Sequence, residues 1–264
     1  MPAKSTLAEN VKKIRAETLE GLNRVLLKRA AREKVEQGRK VRIDGTVTET
    51  NIHEPSDSTL LWDSVRVLTR LLERAQAVAG FTAWTDHTKR AKRRMLGVQR
   101  AKNKEKRKPL YRDLLKVSRK VLGYATAARG ALADSAEEGW RRLAYELNRY
   151  RLLLERVIEQ TERRVLKDET VSAGEKVVSI HEPHSDIIVK DGRETLYGHK
   201  MYLTGGASGL VLDCLITEGN PADSTLSTRM LERQKEIYGR PPRQAALDGG
   251  FASKDNLREA KDLG

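Results

Sequence analysis

Residues 241–256 read PPRQAALDGGFASKDN, and this stretch combines a short strand-like run, an acid, a pair of glycines and the start of a helical pattern. The short run 244–247 is followed by one carboxylate, Asp248, and by a Gly-Gly turn. A strand that ends on an acid and then turns through glycine commonly holds a carboxylate at the edge of a sheet. A helical pattern starts after Ser253. The alternative is that Asp248-Gly-Gly is only a polar turn between a strand and a helix.

A second acid precedes a glycine near the start of the chain. Val41, Ile43 and Val47 alternate with polar residues, which predicts a strand. Gly45 interrupts this strand directly after Asp44, and a glycine inside a strand often marks a bulge or the close approach of another group. Asp44 is therefore a candidate site residue. The alternative is an ordinary exposed strand residue.

One six-residue pattern occurs twice, as PSDSTL at 55–60 and as PADSTL at 221–226. Short polar side chains before a helical pattern satisfy the open amides at the start of a helix. We predict both copies to be helix caps, with Ser56, Asp57 or Ser58 acting in the first and Asp223 in the second.

The region between the two candidate acids is strongly basic. From Thr59 to about Lys167 the pattern is helical, and residues 89–120 contain fifteen Lys and Arg against two acids. Exposed helix faces normally mix charges of both signs, so contact with phosphates is favoured over a merely solvated face. No aromatic residues alternate with these cations, so base stacking is not indicated. The residues assigned to DNA contact are Lys89, Arg90, Lys92, Arg93, Arg94, Arg100, Lys102, Lys104, Lys106, Arg107 and Lys108.

Strand patterns return after Glu175. Apolar runs at 177–180, 187–189, 201–203 and 210–216 predict strands joined in hairpins. A helix from about Ser224 to Tyr238 then leads to the strand before Asp248. A strand that follows such a crossover helix can lie parallel to the first strand of the chain. We therefore expect Asp44 and Asp248 on parallel neighbouring strands.

Composition sets broader limits on compartment and partners. The chain has 264 residues and a net charge of +14, which favours a polyanionic partner, although ribosomal and membrane-surface proteins are also basic. No apolar run approaches the roughly 18 residues that a bilayer span needs, and no secretory signal core is present. We expect a soluble cytoplasmic protein with no membrane partner. The single cysteine, Cys214, is expected to be a small buried hydrophobe.

Three other stretches accompany the Asp248 motif: VRIDGTVTETNIHEPSDS at 41–58, YGHKMYL at 197–203 and GLVLDCLITEGNPADST at 209–225. Together they resemble the DDE transposases of bacterial insertion sequences, most closely the group known as ISNCY. The resemblance runs from about Arg39 to Gly264.

The resemblance implies an α/β fold with an RNase H-like catalytic core, incomplete in this chain, and a large all-helical insertion after the first strand. It also implies DNA cleavage and strand transfer at transposon ends, with Asp44 and Asp248 as catalytic ligands of Mg²⁺ or substituting Mn²⁺. The third acid, a Glu, would lie beyond Gly264, so we expect this chain to be inactive by itself. The implied division is 1–38 (N-terminal helical arm), 39–58 (first strand or strands), 59–170 (basic insertion) and 171–264 (remaining core).

The implied partners are double-stranded DNA, as transposon ends and as target, and further copies of the complete protein as a homo-oligomer. The implied location is the bacterial nucleoid. The alternative is a catalytically dead remnant that only binds DNA.

Overall fold

The computed structural model describes residues 6, 10–11, 13–133, 135–190 and 194–263. These residues form two compact units. The first unit comprises the described residues up to Thr48 and those from His199 onward, and the second comprises Glu49–Gly198. Helices and a mixed parallel and antiparallel sheet are both present, which confirms the α/β class. The division at residues 38, 58 and 170 stays a prediction.

The described chain has one strand between its first two helices, then a run of four helices, a run of three strands, and a final helix, strand and helix. They are α1 (Ala16–Arg32), β1 (Lys40–Glu49), α2 (Asp57–Ala79), α3 (Thr88–Arg100), α4 (Lys104–Ala133), α5 (Glu138–Thr161), β2 (Asp186–Lys190), β3 (Glu194–Gly206), β4 (Val211–Thr217), α6 (Ser227–Tyr238), β5 (Gln244–Leu247) and α7 (Lys254–Asp262). Of the predicted arm at 1–38, residues 1–5, 7–9 and 12 lie outside the described residues. No described helix is long and apolar enough to cross a membrane.

The first unit is built on a sheet in which β4 pairs with β3, β3 with β1, and β1 with β5. The β3–β4 pair is antiparallel and the β1–β5 pair is parallel. Val41 and Ile43 of β1 are buried, whereas Arg42 and Asp44 between and after them are exposed. One face of the sheet therefore packs on an apolar cluster that includes Tyr202, Leu215 and Met230, with helix α6 contributing the last of these.

The second unit is mainly helical. Helices α2, α3, α4 and α5 surround one continuous apolar cluster, and β2 pairs with the beginning of β3. The predicted helical region is thus confirmed, with α3 lying inside the most basic segment. Helix α2 starts at a reciprocal cap in which Thr59 N donates to Ser56 Oγ at 3.2 Å and Ser56 N donates to Thr59 Oγ1 at 3.1 Å. Ser56, one of the three predicted caps, is the residue that acts.

The predicted strand at residues 177–180 is wrong. Val177, Val178 and Ile180 are buried, but the segment forms no strand. Its backbone is paired instead with a side chain, because Val177 N donates to Gln160 Oε1 at 2.9 Å and Gln160 Nε2 donates to Val177 O at 3.2 Å. A side-chain amide of α5 therefore takes the place of a neighbouring strand.

The expectation that Cys214 is buried is also wrong, because Cys214 is exposed. It pairs with Leu203 in the β3–β4 ladder, while the next pair, Leu215 with Tyr202, faces the apolar cluster. Successive side chains of a strand point to opposite faces, so the residue beside the buried Leu215 faces away from that cluster. An apolar run identifies the strand but not which of its residues are covered.

Candidate active site and nucleic-acid interface

Asp44 lies on the uncovered face of the sheet in the first unit. Its side chain is 52% exposed, and one oxygen accepts from Arg42 Nη2 at 3.2 Å. Arg42 and Asp44 are two residues apart on one strand, so they share a face while Ile43 between them is buried. An exposed ion pair of this kind is weak, and the carboxylate remains accessible to another cation.

Asp248 follows the strand that pairs with the strand of Asp44. The β1–β5 pair is parallel, with Ile43 opposite Leu247, so each aspartate comes directly after a register pair. This confirms the expected parallel neighbouring strands, which lie about 4.8 Å apart, with Asp44 inside β1 and Asp248 directly after β5. Asp248 also starts a short 3₁₀ turn at Gly249–Phe251, where one of its oxygens accepts from Gly250 N at 2.9 Å. The other oxygen has no hydrogen-bond partner among the described residues.

A third aspartate, Asp223, is held near Asp248 by β3. Asp223 Oδ1 accepts from the Tyr202 hydroxyl at 2.7 Å and from Lys200 Nζ at 2.7 Å. Lys200 Nζ also donates to Pro221 O at 2.8 Å. Burial raises the pKa of Asp223, but the hydrogen bonds from Lys200 and Tyr202 outweigh it, so the pKa lies below its ordinary value. The carboxylate is ionised at neutral pH.

The predicted capping role of Asp223 is wrong. Residues Asp223–Thr225 form a 3₁₀ turn, and α6 begins only at Ser227 after Leu226, without any side-chain cap. The carboxylate is directed to Lys200 and Tyr202 because a cation and a hydroxyl on one strand face outweigh the open amides of a helix. The sequence does contain a signal, since Lys200 and Tyr202 are spaced by two on a strand and so share a face.

Two glycines leave room for these groups. A Cβ at Gly250 would lie 3.0 Å from Asp223 Oδ2 and 3.2 Å from Asp248 Oδ1, so both carboxylates border the same glycine. A Cβ at Gly45 would lie 3.2 Å from the Tyr202 ring. Burial, followed by Asp223, raises the pKa of Tyr202, which keeps its hydroxyl a donor. Within the described part of the chain, no three His, Cys, Asp or Glu side chains are grouped as a metal site.

The remaining acids that could compete as ligands are engaged or remote. Asp213 is buried and accepts two hydrogen bonds from Arg233, at 2.5 and 2.7 Å. Asp255 lies on α7 with its side chain 82% exposed. Glu218 is exposed at the end of β4. None of the three borders the turn at Gly250.

The cations of the predicted DNA-binding segment, in the second unit, are of two kinds. Some are tied to acids: Arg90 and Arg94 both bind Asp113, and Lys104 and Lys108 both bind Asp168. Hydrogen bonding to Arg90 holds the pKa of Asp113 below its ordinary value, against the opposite effect of burial. These pairs join α3 to α4 and α4 to the segment after α5.

The other cations have no acidic partner among the described residues. Lys89, Lys92, Arg93 and Arg100 are exposed and line a shallow groove together with the tied Arg94 and with Leu96, Gly97 and Leu110. Lys102 and Lys106 are exposed as well. Arg107 Nε donates to Ala101 O at 2.9 Å, which holds the turn between α3 and α4.

Comparison of the chain with protein-family models, with curated proteins and with solved structures gave no match.

Proposed function

We propose that this chain is a catalytic region of a DDE transposase resembling those of bacterial insertion sequences. Its reaction is metal-dependent cleavage of a DNA phosphodiester and transfer of the strand at transposon ends. The parallel register that sets Asp44 and Asp248 after paired residues of β1 and β5 carries this proposal. Residues that each follow a paired residue of two parallel strands lie side by side, so a substrate at this level of the sheet can reach both carboxylates.

In this proposal the mixed sheet is an incomplete RNase H-like core. The order β4, β3, β1, β5 supports it, since two antiparallel strands precede a crossover helix, α6, and a strand parallel to β1. The crossover carries the chain from β4 past β3 and β1 to the far side of the first strand. The helices α2–α5 are then an insertion between the first two strands of that core.

The carboxylate oxygens of Asp44 and Asp248 are ligands of the type that Mg²⁺ prefers. Mg²⁺ is usually held by one or two carboxylates together with water and substrate phosphate oxygens, so Asp44 and Asp248 would hold an ion, and the expected third acid would complete the set for a metal pair. When bound, a metal pair stabilises charge on the scissile phosphate and activates water or a 3′-hydroxyl. Asp44 keeps an accessible carboxylate, and Asp248 keeps one oxygen free of the Gly250 amide.

Lys200, Tyr202 and Asp223 support the site by position. Their hydrogen bonds fix residues 221–223 to β3, and Asp223 borders the same glycine as Asp248. Asp223 is ionised, but the Lys200 ammonium that binds its Oδ1 balances its charge, so Asp223 supports Asp248 by position and not by net charge.

DNA is the proposed partner of the basic segment in the second unit, whose cations would neutralise backbone phosphates without reading bases. Assembly with further copies belongs to the same proposal. Helix α1 supports it, since Leu22, Val25 and Leu26 are 56%, 65% and 64% exposed. Adjacent exposed apolar side chains are typical of an interaction surface.

Binding of Mn²⁺ tests the proposed site without requiring turnover. Titration of the chain with Mn²⁺, followed by water-proton relaxation, should show binding that Asp44→Asn and Asp248→Asn each weaken at least tenfold, or about 1.4 kcal/mol. Asp255→Asn removes an exposed carboxylate of α7 and should leave the titration unchanged.

Unaltered Mn²⁺ affinity in both site variants would overturn the proposal. Absence of Mn²⁺ binding by the wild-type chain, with intact DNA affinity, would support the second candidate, a DNA-binding protein without metal chemistry. The ion pair that Arg42 already makes with Asp44 is the observation that favours this second candidate.

A further inference from the structure

Helix α3 is divided lengthwise into three faces. Ala91, Met95 and Val98 are buried in the apolar cluster of the second unit. At 100° per residue, Arg90 and Arg94 lie about a quarter of a turn from that buried face, and both bind Asp113. The solvent face runs from Lys92, about a quarter of a turn from the buried face on the side away from Arg90, to Lys89, Arg93 and Arg100, which lie nearly opposite the buried face.

The solvent face of α3 carries four cations, Lys89, Lys92, Arg93 and Arg100, and we call it the free-cation face. All four are exposed and have no acidic partner among the described residues. From Lys89 to Arg100, eleven helical steps rise roughly 16 Å, which is about five base pairs along a duplex. This length suits contact with several successive phosphates.

Neighbouring residues keep the free-cation face rigid. A Cβ at Gly97 would lie 3.3 Å from Leu110, so the glycine lets the start of α4 approach α3 closely. Asp113 of α4 holds Arg90, with Nε donating to Oδ2 at 3.2 Å, and it also holds Arg94. The tied arginines thus set the position of α3, and the cations beyond them are left unneutralised.

We infer that the free-cation face of α3 lies along the phosphate backbone of a DNA duplex, while Arg90, Arg94, Lys104 and Lys108 are structural and contact no phosphate. The inference takes its partner, DNA, from the proposed function. It divides the eleven cations of the predicted DNA-binding set by whether an acid of the same chain already holds them. Cations without such a partner release counterions when they bind phosphate.

The sharpest test compares two adjacent arginines. Binding to a fluorescent duplex is measured by anisotropy from about 50 to 200 mM salt, and the slope of log K against log salt is recorded. Arg93→Gln should lower the magnitude of the slope by about 1, on either of two unrelated sequences. Arg94→Gln should leave the slope unchanged. Changing all four residues of the free-cation face to Gln should lower it by up to about 4.

A gain of binding checks the structural role of the tied arginines. Asp113→Asn frees Arg90 and Arg94 and should raise the magnitude of the slope, by up to about 2. Circular dichroism establishes that each variant keeps its helices. Equal slopes for Arg93→Gln and Arg94→Gln, or an unchanged slope in the fourfold variant, would overturn the inference.

Failure of the free-cation face to bind DNA is distinct from failure of the proposed function. If the fourfold variant binds DNA like the wild type while Mn²⁺ binding still depends on Asp44 and Asp248, only the inference is wrong. If the slopes change as expected while Mn²⁺ binding is indifferent to both aspartates, the transposase chemistry is wrong and the DNA-binding face stands.

Discussion

Residues 55–60 and 221–226 have five letters in common, PSDSTL and PADSTL, yet they form different structures. The first starts helix α2 at Asp57, and the second forms a 3₁₀ turn that delays helix α6 to Ser227. The one difference is Ser56 against Ala222. Only the serine has a hydroxyl that can accept from the amide three residues later, so only the first copy is capped by its own side chain.

The second copy satisfies its backbone in another way. Thr225 N donates to Ala222 O at 3.0 Å, and Leu226 N donates to Asp223 O at 3.0 Å. These are the tighter turns that a chain uses where no side-chain cap is present. The first helix start therefore has a side-chain cap, and the second has backbone hydrogen bonds in its place.

Neither aspartate caps its helix, because each finds a stronger partner far along the chain. Asp57 accepts from Gln160 Nε2 at 2.8 Å and from Arg164 Nη1 at 2.9 Å. Asp223 accepts from Lys200 and Tyr202. Both aspartates are thus tertiary contacts, and the two copies differ in what these contacts serve. Asp57 locks the second unit, and Asp223 borders the candidate active site.

The largest effect is expected at the first copy. Asp57 is only 6% exposed, and Asp57→Ala leaves Arg164 and Gln160 without their partner. Because Arg164 is 40% exposed and regains water, we expect a loss of about 2 kcal/mol, below the usual penalty for breaking a buried pair. Trp62, Trp84 and Trp140 all lie in the second unit, so tryptophan fluorescence in urea follows its unfolding.

The control for this prediction is Glu155→Ala on α5. Glu155 is 57% exposed and its one ion pair among the described residues is with Arg151, so its loss should change stability by less than about 0.5 kcal/mol. An equal loss of unfolding free energy in Asp57→Ala and Glu155→Ala would show that the Asp57 contacts contribute no more than a surface ion pair.

A smaller effect is expected at the second copy. Asp223→Asn keeps the shape but loses the charge that Lys200 and Tyr202 bind, which should cost the first unit about 1.5 kcal/mol. The pKa of Asp223 is lowered in the folded chain, so this stability is fully present above the ordinary value of 3.8 and is lost as pH falls below it. Hydrogen exchange of β3 and β4 at pH 7 and at lower pH measures the difference.

The pH dependence separates charge from shape. The difference in hydrogen-exchange protection of β3 and β4 between wild type and Asp223→Asn should be large at pH 7 and should become smaller as pH falls below 3.8. A difference of constant size would mean that the carboxylate acts only as a neutral acceptor.

The spacing of apolar residues predicted most of the strands and helices, because the buried face of each element recurs at a fixed interval along the sequence. The run at 244–247, Asp248 and the helix after Ser253 are where the sequence places them. The sequence could not predict that Gln160 would bond the backbone of Val177, nor that Lys200 would draw Asp223 away from a cap. Both outcomes depend on partners 17 and 23 residues distant, which no local pattern records.

The smallest effects come from exchanging the one letter that differs. Ser56→Ala makes the first copy identical to the second and removes the acceptor of the Thr59 amide, so it should cost about 1 kcal/mol of the second unit. Ala222→Ser makes the reverse change, but Asp223 stays bound to Lys200 and Tyr202, which holds the turn in its present shape. The new hydroxyl would only share the Thr225 amide that Ala222 O already accepts, so stability should change by less than about 0.5 kcal/mol. Tryptophan fluorescence in urea measures the first exchange, and hydrogen exchange at Ser227–Met230 measures the second. If Ala222→Ser protected these amides as strongly as Ser56 protects the start of α2, a serine at the capping position would set the start of the helix despite the contacts of Asp223 with Lys200 and Tyr202.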